Sequence, residues 1–74
     1  AMITIEHNDK HTDVFIIDPE GELEDIEMIV TDRGYFIRQW SEELGGYDLV
    51  ELSPTMLGLL VKSLGLPEGT YVTL

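Results

Sequence analysis

Residues 26–40 read IEMIVTDRGYFIRQW, two apolar and aromatic runs on either side of the turn-forming segment Thr31–Gly34. In the first run every second residue from 26 to 30 is Ile, Met or Val, and a period of two is typical of a β-strand. Between the runs, Gly34 can take the positive φ angle that a tight hairpin requires. The pattern therefore predicts two antiparallel strands, of which the second covers residues 35–40.

Two strand-forming runs precede this hairpin and one follows it, at residues 3–5, 14–17 and 47–52. Each contains the β-branched or aromatic residues that suit a pleated sheet. Turn-forming segments containing Asn, Asp, Pro or Gly separate the runs, at residues 8–10, 18–21 and 41–46. Because short turns join strands that lie side by side, we expect five consecutive strands in an antiparallel meander.

A helix is predicted after the fifth strand. Ser53 can cap the free amides of a helix and Pro54 suits the first helical position, so we expect a helix over residues 54–64. Gly65 is placed to end it in a left-handed conformation, and residues 71–73 are predicted as a short closing strand. The order β-β-β-β-β-α-β predicts an α+β fold, a five-stranded antiparallel meander sheet with one C-terminal helix packed on one face and a short final strand.

The predicted helix has apolar residues on more than one side. A stripe with i, i+3, i+4, i+7 spacing is expected to pack on the sheet, and it consists of Leu57, Leu60, Val61 and Leu64. Met56 and Leu59 fall outside this stripe. We therefore expect either a homodimer that associates through Met56 and Leu59 or a sheet that curls far enough to cover them.

The chain is expected to form one small domain over residues 1–74, because this length cannot close a second hydrophobic core. It contains no cysteine, which excludes a disulfide framework and agrees with a reducing compartment. The start shows no basic segment followed by a long apolar run, and Ala1 before Met2 indicates a cloning remnant. We expect a cytoplasmic protein without a membrane partner, in the host cytoplasm if a phage encodes it.

Acidic residues dominate the charge and are concentrated in one part of the chain. Fifteen Asp and Glu residues against four Lys and Arg residues give a formal net charge of −11. Residues 1–32 hold ten acids and one base, residues 33–52 four acids and two bases, and residues 53–74 one of each. Such a field repels nucleic acid, whose phosphates are bound by lysine and arginine. The expected partner is therefore a basic protein and not DNA or RNA.

The acids between residues 13 and 32 form the candidate partner-binding site, an acidic edge. Its members are Asp13, Asp18, Glu20, Glu22, Glu24, Asp25, Glu27 and Asp32. Alternate side chains on a strand recur every ~6.6 Å, so two neighbouring acidic rows approximate the charge density of a DNA strand. This spacing favours a DNA mimic that occupies the basic, nucleic-acid-binding surface of a target protein.

The sequence offers few groups for chemistry. No serine lies in a nucleophile elbow, no glycine-rich phosphate loop opens a helix, and no carboxylate pair stands in an apolar setting. His7 and His11, with two neighbouring aspartates, lack the ligand spacing of a metal site. The carboxylates of residues 18–25 do not follow the calcium-loop pattern, which needs glycine at its sixth place and flanking helices. We expect no catalytic residue, metal or cofactor, and a protein that is not an enzyme.

Three functional interpretations follow from these features. The first is an acidic regulator or inhibitor of the kind that phages and mobile elements encode, and the second is a structural or assembly subunit that homo-oligomerises through the helix. The third is acidity that serves only solubility. Phe36, Arg38 and Trp40 share one strand parity and are expected to line one face of the sheet. Trp40 is either a binding anchor beside Arg38 or, as we expect for the single tryptophan of a small chain, part of the core.

Overall fold

The computed structural model describes residues 2–72, which form a sheet of five strands followed by one helix. The elements are β1 (Met2–His7), β2 (Thr12–Ile17), β3 (Ile26–Thr31), β4 (Gly34–Ser41), β5 (Gly46–Leu52) and α1 (Pro54–Ser63). The strands are antiparallel and lie in chain order, β1-β2-β3-β4-β5. The predicted α+β class, the meander and the C-terminal helix are confirmed.

The β3–β4 hairpin forms at the position that the sequence predicts. Thr31 pairs with Gly34, whose φ angle is 155°, and the Thr31 hydroxyl donates to the Gly34 carbonyl at 3.0 Å. The same hydroxyl oxygen accepts the backbone amide of Arg33 at 3.2 Å. The threonine side chain thus supplies partners within the turn, which keeps the reversal tight.

The strand registers divide the sheet into two faces of different composition. One face, here the apolar face, carries a row of apolar side chains that crosses all five strands: Ile5, Val14, Met28, Ile37 and Val50. The opposite face, here the mixed face, carries the alternate residues of the same strands. Its charged members are Glu6, Asp13, Glu27, Arg38 and Glu51. The two faces therefore offer different surfaces to a partner.

The helix begins as predicted but ends differently. The Ser53 hydroxyl accepts the amide of Met56 at 3.1 Å, with proline in the first helical turn. At the other end the amide of Gly65 donates to the Lys62 carbonyl at 3.2 Å, and the residues on either side make bonds of the same three-residue span. This tightened last turn pairs the terminal carbonyls, so Gly65 does not take a positive φ and the left-handed ending was a wrong prediction.

The helix packs mainly against β5, and most of its apolar stripe stays exposed. Leu57 is half-buried, whereas Leu60, Val61 and Leu64 are 54%, 64% and 89% exposed. The prediction that the whole stripe packs on the sheet was therefore wrong. A single residue, Ser53, separates β5 from the helix, so the helix starts at the edge strand and does not reach the middle of the sheet.

The closing segment does not add a strand within the described residues. Tyr71 and Val72 lie outside any strand, and Thr73, the last residue of the predicted closing strand, lies outside the described residues. The Tyr71 hydroxyl instead donates to the Pro67 carbonyl at 2.8 Å, which closes a local turn. The described part of the chain thus ends as an irregular segment beside the helix.

Candidate protein-binding site

Two loops bring seven of the fifteen acidic residues to one end of the sheet. Every second connection of a meander lies at the same end, because consecutive strands run in opposite directions. Residues 18–25 and residues 42–45 are such connections, and together they hold seven carboxylates and no lysine or arginine. We call these two loops the acidic end. The turns at the other end, residues 8–11 and 32–33, each combine an aspartate with a base.

The eight acids of the predicted edge do not lie together. Five are in the first loop of the acidic end, namely Asp18, Glu20, Glu22, Glu24 and Asp25. Asp13 and Glu27 lie within strands on the mixed face, and Asp32 lies at the opposite end of β3, roughly 20 Å from the acidic end at the usual rise per residue. The clustered acids are therefore loop residues, and the two acidic rows on neighbouring strands that the spacing suggested are not formed.

Asp18 organises the first loop of the acidic end. Its carboxylate accepts the backbone amides of Leu23 at 2.8 Å, Glu22 at 3.0 Å and Glu20 at 3.1 Å. These bonds favour the charged form, and the bond from Leu23, followed by that from Glu20, lowers the pKa of Asp18 below its ordinary value. Gly21, with a φ of 69°, allows the chain to turn around the carboxylate. Asp18 thus positions the neighbouring glutamates and is itself engaged within the loop.

Acidification is expected to loosen this loop, because protonation of Asp18 removes its charge-assisted bonds. The folded pKa lies below the unfolded value of about 3.9, so the contribution to stability is present above about pH 4 and is lost as the pH falls through the folded pKa. An NMR titration that follows the Leu23 amide should report this midpoint. Asp18→Asn should abolish the transition, and an unchanged transition in that variant would show that another group causes it.

A cleft on the mixed face adjoins the acidic end. Its volume is about 250 Å³, and its lining, here the aromatic cleft, comprises Phe15, Glu24, Asp25, Glu27, Arg38, Trp40 and Tyr47. The rings of Trp40 and Tyr47 meet edge to face, with centroids 5.2 Å apart and planes at 81°. The Gln39 side chain donates to the Glu24 carbonyl at 2.9 Å, which ties the acidic loop to β4. Carboxylates and aromatic faces therefore share one concave surface.

Trp40 is 41% exposed, so the prediction that it belongs to the core was wrong. It does share the mixed face with Phe36 and Arg38, as its strand parity predicts. Its partner across the strands is Tyr47, near the end of the sheet, and the helix leaves the sheet from the other end of β5. The helix packs far from this position and does not cover Trp40.

Arg38 shows how the aromatic cleft accommodates a cation. Its guanidinium carbon lies 4.2 Å from the centroid of the Tyr47 ring, and its Nε donates to Glu27. The bond to Glu27 raises the pKa of Arg38 above its ordinary value, with desolvation opposing. Glu27, with a side chain only 15% exposed, is thus already paired within the sheet. The carboxylates that remain exposed beside the rings are Glu24 and Asp25.

The candidate metal ligands of the first turn are engaged in local hydrogen bonds. His7 Nδ1 lies 3.0 Å from the Thr12 hydroxyl, and His11 Nε2 lies 3.2 Å from the Asp13 carboxylate. Within residues 2–72 no group of three or more His, Cys, Asp or Glu side chains is arranged to hold a metal ion. No helix of the same residues has the length and apolar character needed to cross a membrane.

Sequence reasoning missed three parts of this site: the contribution of Phe15, the pairing of Tyr47 with Trp40, and the second acidic loop. The available signal was the alternation of connections in a meander, which places residues 42–45 beside residues 18–25 once five strands are assumed.

The chain was compared with known proteins by sequence and by structure. No protein family, curated protein or solved structure matches it.

Proposed function

We propose that this chain is a non-enzymatic acidic binding protein that occupies the basic, nucleic-acid-binding surface of a target protein as a DNA mimic. In this role it acts as a regulator or inhibitor of the kind that phages and mobile elements encode. The observation that carries the proposal is the continuity of the acidic end with the aromatic cleft. Carboxylates attract the partner at long range, and the cleft gives one of its basic side chains a defined place.

The electrostatic part of the proposal follows from the composition of the acidic end. Its two loops contain seven carboxylates and no lysine or arginine. The resulting negative field steers a positively charged surface toward this end of the sheet. Glu20, Glu22, Glu24 and Asp25 are exposed to solvent. A general acid or base works in an apolar or paired setting that shifts its pKa, and solvent-exposed carboxylates suit attraction better than catalysis.

The specific part follows from the aromatic cleft. An arginine or lysine of the partner that enters it meets the Trp40 ring and the carboxylates of Glu24 and Asp25, beside the Tyr47 ring that Arg38 already contacts. Cation–π contacts of this kind contribute about 0.5–2 kcal/mol, depending on desolvation. Arg38 already makes the same type of contact within the chain. The expected partner residue is therefore a basic side chain from a surface that otherwise binds phosphates.

Neutralising two acids beside the cleft should weaken binding to a labelled oligo-arginine peptide. We expect the double variant Glu24→Gln, Asp25→Asn to bind about three- to tenfold more weakly at low salt, since exposed ion pairs contribute about 0.2–1 kcal/mol each. Fluorescence anisotropy measures the affinity. The matched control is Asp9→Asn, Asp32→Asn, which removes the same charge at the opposite end of the sheet. Equal losses in both variants would mean that only net charge matters.

Removing the tryptophan ring should reduce affinity for a folded partner more than for the peptide. We expect Trp40→Ala to weaken by about tenfold the complex with a basic protein recovered from host lysate, because central aromatic anchors carry much of the binding energy. Trp40→Phe keeps a ring face and should retain most of the affinity. Competition by duplex DNA for the same partner supports mimicry, and a ternary complex with DNA would contradict it.

A second candidate function is an assembly subunit that works by homo-oligomerisation. The observation that favours it is the exposure of the predicted self-association residues, since Met56 is 52% and Leu59 is 39% exposed on the helix. Leu60 and Val61 of the same helix are also more than half exposed, and a contiguous apolar patch of this kind marks an interaction surface. A pulldown from host lysate separates this candidate from the first, since recovery of copies of this chain alone favours assembly and recovery of a basic protein favours mimicry.

A further inference from the structure

The apolar face of the sheet is largely open to solvent. In its edge strands Ile3, Ile5 and Val50 are 61%, 56% and 54% exposed, and toward the middle Ile16 and Ile26 are 40% and 38% exposed. Among the described residues of the strands, Asp48 is the only one on this face with a formal charge. The face is therefore a broad apolar surface, of which the helix of the same chain covers the end of β5 at Leu52.

The surface area of the single chain is too large for a closed domain of its mass. The accessible surface is 6351 Å², whereas a folded monomer of 8.4 kDa exposes about 4,600 Å². The radius of gyration of 14.5 Å likewise exceeds the about 11 Å expected for a chain of this length. The excess of about 1,700 Å² falls within the 1,000–2,500 Å² or so that each subunit buries in an obligate dimer.

We propose that a second copy of this chain covers the apolar face, so that the protein is a two-fold homodimer with the two sheets packed face to face. A two-fold interface uses the same patch on both subunits, and this patch is suited to itself because it is almost uncharged. The contact between the two copies avoids most of the acidic side chains that give each chain its net charge of −11. A basic partner fits the acidic end instead, and an anionic lipid surface is repelled by the whole chain.

The helix extends the same interface. A groove of about 400 Å³ runs between the sheet and the helix, lined by Leu52, Met56, Leu59, Leu60 and Ser63, and Leu52 belongs to the apolar face. The helix and the apolar face are thus one continuous surface. The self-association residues predicted from sequence, Met56 and Leu59, become the margin of an interface whose centre is the row through Met28.

The dimer is independent of the proposed DNA mimicry, and the two respond to salt in opposite directions. Added salt screens repulsion between two chains of charge −11 and strengthens the apolar contact, whereas it weakens attraction between the acidic end and a basic partner. The variant Glu24→Gln, Asp25→Asn should therefore leave the dimer unchanged or tighter while it weakens peptide binding. Failure of one proposal is distinguishable from failure of the other.

Sedimentation equilibrium on the full chain tests the proposal. We expect a dimer for the wild type and for Leu49→Glu, a control on the mixed face where Leu49 is 61% exposed. Its neighbour Val50, 54% exposed on the apolar face, should behave differently: Val50→Glu buries a carboxylate in the interface and weakens dimerisation at least about tenfold. A monomeric wild type, a larger assembly, or equal dimerisation of both variants would overturn the proposal.

A measurement without substitutions covers the case in which Val50→Glu does not fold. The midpoint of thermal unfolding rises with protein concentration when folding and dimerisation are linked, and it is constant for a monomer. We expect a rising midpoint for the wild-type chain. A midpoint that does not change over a wide concentration range would overturn the dimer by itself.

Discussion

Replacing Leu52 with alanine is expected to lower the free energy of unfolding by about 2–4 kcal/mol. Among the described residues, Leu52 is the one buried apolar side chain, with 6% exposure. It closes β5 opposite Tyr35 and lines the groove beneath the helix. Truncation removes apolar contacts and leaves a cavity where the helix packs against β5. Urea denaturation at one fixed protein concentration measures the loss.

Two controls separate this effect from a general sensitivity of β5. Leu49→Ala changes the same residue type in the same strand, but Leu49 is 61% exposed on the mixed face, so a loss below about 1 kcal/mol is expected. Leu52→Met keeps the volume and should cost less than about 1.5 kcal/mol. If Leu52→Ala and Leu49→Ala were equally destabilising, the junction of helix and sheet would not be the core.

Replacing Gly34 with alanine is expected to cost about 1–3 kcal/mol, because the backbone there has a φ of 155° that L-residues with a side chain rarely adopt. The added methyl group would also lie 3.2 Å from the Leu52 carbonyl oxygen, which is closer than an ordinary contact. The neighbouring strand must shift to accept it. Thermal and urea unfolding should both report the loss, with the β3–β4 hairpin amides exchanging faster with solvent.

Gly46 provides the matched control for this glycine. It begins β5 without a positive φ, and a methyl group there meets no atom within 4 Å. Gly46→Ala should therefore be neutral or stabilise the chain by up to about 1 kcal/mol, since alanine restricts the unfolded state. Equal losses at Gly34 and Gly46 would show that glycine flexibility, and not the turn geometry, determines the result.

The local structure could be predicted from short sequence patterns. The period of two in β3, the turn residues before Gly34 and the Ser53-Pro54 helix start each act within a few residues, so their outcome does not depend on distant parts of the fold. Even so, Gly65 was misjudged, because the last helical turn could tighten and leave no need for a left-handed residue.

The candidate site could be predicted only in part from the sequence. The sequence shows the carboxylates of residues 18–25 directly. Strand parity also placed Arg38 and Trp40 correctly on the same face of the sheet. Closeness in sequence grouped Asp32 with the first loop and left out residues 42–45, whereas the alternation of connections in the predicted meander places both correctly. Burial of Trp40 depended on where the helix packs.

The sequence alone therefore determined the order of the five strands and the helix, the excess of negative charge and the face on which each strand residue lies. These properties depend on local backbone preference and on the alternation of side chains along a strand. The tertiary structure decided which acids are engaged within the chain, since the Asp18 carboxylate accepts loop amides and Glu27 pairs with Arg38. It also decided that the helix packs against β5 and leaves most of the apolar face open. The single linking residue, Ser53, holds the start of the helix at this edge strand, so the helix does not extend over the middle of the sheet.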